Sequence, residues 1–306
     1  MSKETERVLE MVADGTVTAA EGAKLLEALG SANRAPDMGR MHRKKRIIDT
    51  RAMIHEIGPM IQSTIGDVFG GRKPHESFKE FDFQEVEAIE EELEDGISLV
   101  IHGNIEGSKS ISIALLRSQD NFLRATAEDN SSLETGSKDQ KKVIVCNSGD
   151  LTVEIPDNVK DVKVFSKGGG ISSKEVRVPL SLKTMGGGVS VEKPANSFSV
   201  KTMGGGLEIT IDKEWTQNSK AKTMGGGIAV HLTEGMSVKV NASTFGGSIS
   251  FDKDKAEVLS ESEHNFGKAK VSLKYGEGDV FPVLAVTSMG GGIEINQTDD
   301  DEDVDE

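Results

Sequence analysis

The hexapeptide KTMGGG occurs three times in this chain, at Lys183–Gly188, Lys201–Gly206 and Lys222–Gly227. Three adjacent glycines suit two jobs. They can cradle a phosphate, or they can form a corner where two stretches of backbone pass closely. A phosphate loop is followed by a helix and often ends in Gly-Lys-Ser/Thr. Here the glycines are followed by the strand-like runs VSVEK, LEITI and IAVHL, and no Gly-Lys-Ser/Thr follows a triplet. Tandem recurrence with strands on both sides predicts a structural corner.

Aligning on the glycines extends the repeat. FSKGGGISSKEV carries Gly168, Gly169 and Gly170, and the exact copies carry Gly186, Gly187 and Gly188, then Gly204, Gly205 and Gly206, then Gly225, Gly226 and Gly227. STFGGSISF has Gly246 and Gly247, HNFGKAKVSL has Gly267, and TSMGGGIEI has Gly290, Gly291 and Gly292. The first glycines are spaced 18, 18, 21, 21, 21 and 23 residues apart. Each unit has a strand ending in Thr/Ser–Met/Phe, then glycines, an alternating strand and a polar turn. Strand-only units of this length are single coils of a solenoid, each burying its apolar side only by stacking on the next. The expected fold is mainly β: a single-stranded β-helix of about eight or more coils, preceded by a small helical region.

The glycines are expected at coil corners, where they allow positive φ or close approach between layers. Two arrangements of the flanking residues are open. Strict alternation puts Thr184 and Thr202 inside and leaves Met185, Met203, Met224, Phe245, Phe266 and Met289 as an external apolar stripe. A kink at the glycines puts that Met/Phe ladder into the core, and this is the favoured arrangement. Lys183, Lys201 and Lys222 stack outside in either case, as a solubilising row or a contact for an anionic partner.

The chain divides into four segments by pattern. Residues 1–30 read as a helical hairpin: Val8, Leu9, Met11 and Val12 line a first helix, Thr18 and Glu21 form a capping-box pattern, and Gly30 stops the second helix. Residues 31–84 contain a linker and an amphipathic helix with Ile47, Ile54, Ile61 and Val68 seven apart. That helix begins at Arg43, Lys44, Lys45 and Arg46, a basic cluster suited to a solvated turn or to a membrane surface. Residues 85–297 are the β-repeat, and 298–306 form an acidic tail read as disordered.

Composition closes several alternatives. The net charge of −15 argues against nucleic acid as the main partner. The single cysteine, Cys146, excludes an intramolecular disulfide. The six histidines show no pairing at metal-ligand spacing, and acids such as Glu192, Asp212, Glu234 and Asp252 do not recur in one strand register. No catalytic, cofactor or metal residues are expected. The N-terminus lacks an apolar signal core and no run suits a membrane span, so the expected address is the cytoplasm or a membrane periphery.

The hairpin VLEMVADGTVTAAEGAKLLEALG resembles the SHOCT-like N-terminal hairpin of the bacterial YvlB/LiaX group. The GGGIxV coils resemble the "putative adhesin" β-solenoid domain that accompanies it. The resemblance implies a non-enzymatic protein linked to cell-envelope stress or surface association. It also implies protein partners, or self-association into a homo-oligomer, through the hairpin. Peripheral membrane contact through residues 40–70 is the further expectation. The competing functions are a carbohydrate-active β-helix enzyme and a nucleic-acid binder acting through the basic helix.

Overall fold

A computed structural model describes residues 81–103, 111–128, 133–147, 149–264, 268–278 and 280–298. The hairpin, the basic helix with Arg43–Arg46, Phe266, Gly267 and the acidic tail lie outside the described residues.

Twenty-two strands make up this part of the chain. They are β1 (Gln84–Val86), β2 (Ala88–Glu92), β3 (Ser98–Gly103), β4 (Ile113–Arg117), β5 (Phe122–Ala127), β6 (Leu133–Lys138), β7 (Lys141–Cys146) and β8 (Leu151–Ile155). The central strands are β9 (Asp161–Ser166), β10 (Ile171–Lys174), β11 (Leu180–Thr184), β12 (Val189–Glu192), β13 (Phe198–Thr202), β14 (Leu207–Ile211), β15 (Ser219–Thr223) and β16 (Ile228–Thr233). The last are β17 (Val238–Phe245), β18 (Ile249–Phe251), β19 (Glu257–His264), β20 (Lys268–Tyr275), β21 (Val283–Ser288) and β22 (Ile293–Thr298).

The strands form two sheets. Sheet A has the order β1-β6-β7-β3-β9-β11-β13-β15-β21-β17-β20-β19, and sheet B the order β18-β22-β16-β14-β12-β10-β4-β8-β5-β2. Through the middle the chain alternates between sheets, and every layer pairs in parallel with the next at equivalent positions: Thr184 with Thr202, Thr202 with Thr223, Val189 with Leu207. This is a solenoid flattened into two sheets. Alternate residues of each strand face inward, so Leu182, Val200, Ala221, Val286 and Ala242 stack as one buried column. Trp215, from a turn between layers, is 2% exposed and closes one side of the core, its indole N–H donating to Ser219 Oγ at 3.1 Å.

The stacking order differs from the chain order at both ends. Eight parallel layers follow one another in space as β7/β8, β3/β4, β9/β10, β11/β12, β13/β14, β15/β16, β21/β22 and β17/β18. The last coil of the chain is inserted next to β15/β16, and the earlier coil β17/β18 lies outside it. At the other end, β3/β4 sits inside β7/β8. Beyond each outer layer run antiparallel strands: β6 and β5 at one end, and β20 and β19 at the other.

The unit HNFGKAKVSL is therefore not a coil. Its flanking strands β19 and β20 pair antiparallel, with His264 opposite Lys268, as a hairpin. The strand after Gly267 opens with Lys268, where the true coils place Val, Leu or Ile at the first inward position.

Candidate functional site: corners, rows and outer faces

Each glycine corner is built around one buried hydroxyl. Thr202 is 1% exposed; its Oγ1 donates to the Gly187 carbonyl of the preceding layer at 2.8 Å and accepts from the Gly205 N–H of its own layer at 3.2 Å. Thr184 and Thr223 repeat this arrangement, and Ser288 does so with Gly226 and Gly291. Ser166 starts the column on the Ile111 carbonyl, and Thr244 ends it on the Gly291 carbonyl. A hydroxyl that both donates and accepts can sit inside an apolar stack without an unsatisfied atom.

The middle glycine of each triplet is required by space. A Cβ on Gly187 would collide with the backbone of Gly169–Gly170, and one on Gly205 with that of Gly187–Gly188. Gly226 and Gly291 meet the preceding corner in the same way. The first and third glycines, such as Gly186, Gly188, Gly204, Gly206, Gly225, Gly227, Gly290 and Gly292, have more room, with a neighbouring carbonyl at 3.1–3.3 Å from a built Cβ. Positive φ is not the reason for the triplets. Among the described glycines of these corners it occurs only at Gly246, at 109°.

Inward threonine settles the Met/Phe ladder. Met185, Met203, Met224, Met289 and Phe245 are half-buried on the outer side of the corner and take no part in the core. The expected kink that would have turned them inside does not occur. Alternation runs through to the last residue before the glycines because the hydroxyl bridges need that position.

The two outer faces differ in charge. Across β9-β11-β13-β15-β21-β17-β20, sheet A carries Lys163, Lys183, Lys201, Lys220, Lys222, Lys239, Lys268, Lys270 and Lys274, nine lysines against Asp161 alone. Lys183, Lys201 and Lys222 are direct neighbours in three successive layers. The same row continues to Phe165 and His102 on one side. Burial, and then the nearby charge of Lys141, lower the His102 pKa to about 4, so this ring adds no charge to the row near neutral pH. Lys274 pairs with Glu257 at 3.2 Å and stacks on Phe281, and Lys163 pairs with Asp161 at 3.0 Å.

The outer face of sheet B is acidic over the same layers, with Glu192, Glu208 and Glu294 against Lys174. Between its first outward row and the third glycines runs an open groove of about 1060 Å³. Thr152, Ala114, Ser172, Ser190, Glu208, Ala229, Glu294 and Ser250 line it in successive layers, which gives a length of about 34 Å at the usual strand spacing. At the first end of this sheet Arg124 gathers three carboxylates. It pairs with Asp120 at 2.7 Å, Glu90 at 3.1 Å and Glu154 at 3.3 Å; its bonds to Asp120, followed by those from the Phe122 N–H and the Ser118 hydroxyl, hold that carboxyl well below its usual range. Arg124 was not among the expected site residues; its signal is only alternation within FLRATA, and two of its partners, Glu90 and Glu154, come from strands distant in sequence.

Among the described residues no group of three or more His, Cys, Asp or Glu is placed to hold a metal ion. Cys146 is buried. No described helix is long and apolar enough to cross a membrane.

A SHOCT-like domain model matches residues 3–34. No curated protein matches the chain. Among solved structures, a putative cell adhesion protein from Clostridium sporogenes aligns at 12% identity and a TM-score of 0.37, covering 71% of this chain and all of that one. A putative adhesin from Bacteroides fragilis aligns at 11% identity and a TM-score of 0.28, covering 70% of this chain and 97% of that one.

Proposed function

We propose that this protein is a non-enzymatic interaction scaffold of the bacterial envelope or cell surface. In this reading residues 1–30 form a SHOCT-like oligomerisation hairpin, 31–84 a linker and basic helix, 85–297 the presented solenoid, and 298–306 an acidic tail. The observation that carries the reading is the pair of unlike outer faces on one stack. Like side chains recur across neighbouring layers, so Lys183, Lys201 and Lys222 form a row on one sheet and small or acidic side chains line a continuous groove on the other. Such surfaces are held by a backbone ladder, not by loops, and binding to them orders little new structure. The match of the first segment to the SHOCT-like model supports a separate assembly element. A link to envelope stress belongs to the same proposal.

Light scattering after size exclusion tests it. Full-length protein is expected to be oligomeric, and a chain beginning at residue 80 monomeric and folded. Two monomeric species would remove assembly from the N-terminal segment.

A further inference from the structure

We infer that the groove on sheet B holds an extended basic peptide of a partner protein, lying across the strands along the stack. This deepens the scaffold reading and rests on it, by naming the chemistry of one partner.

Charge gives the sign of the partner. Glu128, Asp150, Glu208 and Glu294 line the groove, and no Lys, Arg or His stands among its described lining residues. The net charge of −15 adds to the same field. A cationic partner is drawn to such a groove and an anionic one is repelled.

The carboxylates gather toward the two ends. The Glu128 N–H donates to the Asp150 carbonyl at 2.8 Å, so these two residues lie on neighbouring strands at one end. Asp150 immediately precedes β8, and Glu208 lies in β14, four layers on, which is about 19 Å along the stack. Glu294 follows two layers beyond Glu208, about 10 Å further. Between Asp150 and Glu208 the outward row carries small uncharged side chains such as Ser172 and Ser190. They leave the middle of the groove open, and their hydroxyls can donate or accept. The floor is closed to a new strand, because the carbonyls of Gly188 and Gly206 already accept from the Ile171 and Val189 N–H groups. The occupant is therefore held by side chains and not by β-pairing.

These features select among cationic ligands. An extended peptide advances about 3.3 Å per residue, so about ten residues fill the groove's length of about 34 Å. About six of them span the uncharged middle, where their peptide groups meet the serine hydroxyls. Basic residues on either side of those six reach the carboxylates. A polyamine would place positive charge along the uncharged middle as well. A sugar chain brings no positive charge, and no Trp, Tyr or Phe among the described lining residues offers it a ring to stack on.

Fluorescence anisotropy with the full-length protein tests this. The probe is a labelled decapeptide with two arginines at each end and six Gly or Ser residues between them. Its isomer has the four arginines together in the middle. The end-charged peptide is expected to bind about fivefold more tightly than the isomer. Its binding should be largely lost at about 0.5 M salt. Glu208→Gln with Glu294→Gln removes two exposed carboxylates and is expected to weaken binding about tenfold. Glu192→Gln with Glu234→Gln removes the same charge outside the groove and should leave binding nearly unchanged. Ser190→Arg fills the middle and should weaken binding about tenfold or more. Circular dichroism melting checks that the variants are folded; should Ser190→Arg not fold, the two glutamate pairs decide. Equal losses from the two pairs show attraction to net charge alone and overturn the proposal. Equal binding of the two peptides also overturns it. Tighter binding of spermine, or of a neutral oligosaccharide such as cellohexaose, overturns the peptide as occupant. Failure of both peptides to bind, with light scattering still showing an oligomer, overturns the peptide partner and leaves the scaffold reading standing.

Discussion

Thr202 uses one oxygen to join two layers, and its neighbour Met203 is pushed outward as a consequence. Replacing Thr202 with Val keeps the shape but leaves the Gly187 carbonyl and the Gly205 N–H without this partner. The expected cost is about 1–3 kcal/mol. Gly205→Val meets the backbone of the preceding corner and should cost more than Thr202→Val, with Met203→Ser closest to wild type. Urea unfolding of the three variants checks the ranking; equal midpoints would contradict the corner geometry. The sequence already showed Leu182 and Thr184 on one face. Ranking Met above Thr for burial misled, because apolar counting assigns no value to a hydroxyl whose acceptor lies 15 residues back in the chain. The need for glycine was legible, but its reason was half right: close approach holds at Gly187 and Gly205, and among the described glycines of the aligned corners from Gly168 onward positive φ is found at Gly246 alone.

The end strands show how a stack of parallel layers avoids growing without limit. An open edge is a template for another chain, and short or charged edge strands blunt it. β1 and β18 have three residues each, β2 ends in three glutamates, and β19 carries Glu257 and Glu261 with a register shift between Val258 and Ser260. Val258 and Leu259 are nevertheless 42% and 44% exposed beside that edge. Glu261→Val should therefore promote end-to-end association, seen as particle size rising with concentration, while Leu259→Lys should not. No difference between the two would show that β19 is not the guarded edge. Capping by antiparallel strands was not legible as such. HNFG fell at the repeat spacing of 21 and was counted as a corner, although Lys268 and Lys270 follow it where a coil needs apolar residues.

Over the whole molecule, the fold class and six of the eight described layers could be read from the glycine spacing, because the coils from β9/β10 onward repeat the same grammar. The same uniformity hides the stacking order. Any coil with Thr/Ser before its glycines can bridge to any other, so nothing local says that β21/β22 belongs inside β17/β18. The N-terminal layers depart from chain order in the same way, and they lack the triplet that would have placed them. Layer order also decides which residues share an outer row, and hence where the row of Lys183, Lys201 and Lys222 ends and the uncharged Thr287 and Ser243 positions begin.

Paired cysteines in the full-length protein test that order most directly. A disulfide needs Cα atoms about 4.4–6.8 Å apart, which direct neighbours in a sheet satisfy and strands two layers apart, at about 10 Å, do not. Lys222→Cys with Thr287→Cys joins β15 to β21 and should cross-link under mild oxidation; Lys222→Cys with Ser243→Cys should not. The native Cys146 is buried and should not compete. Cross-linking of the second pair, with none of the first, would show coils stacked in chain order and would contradict the account.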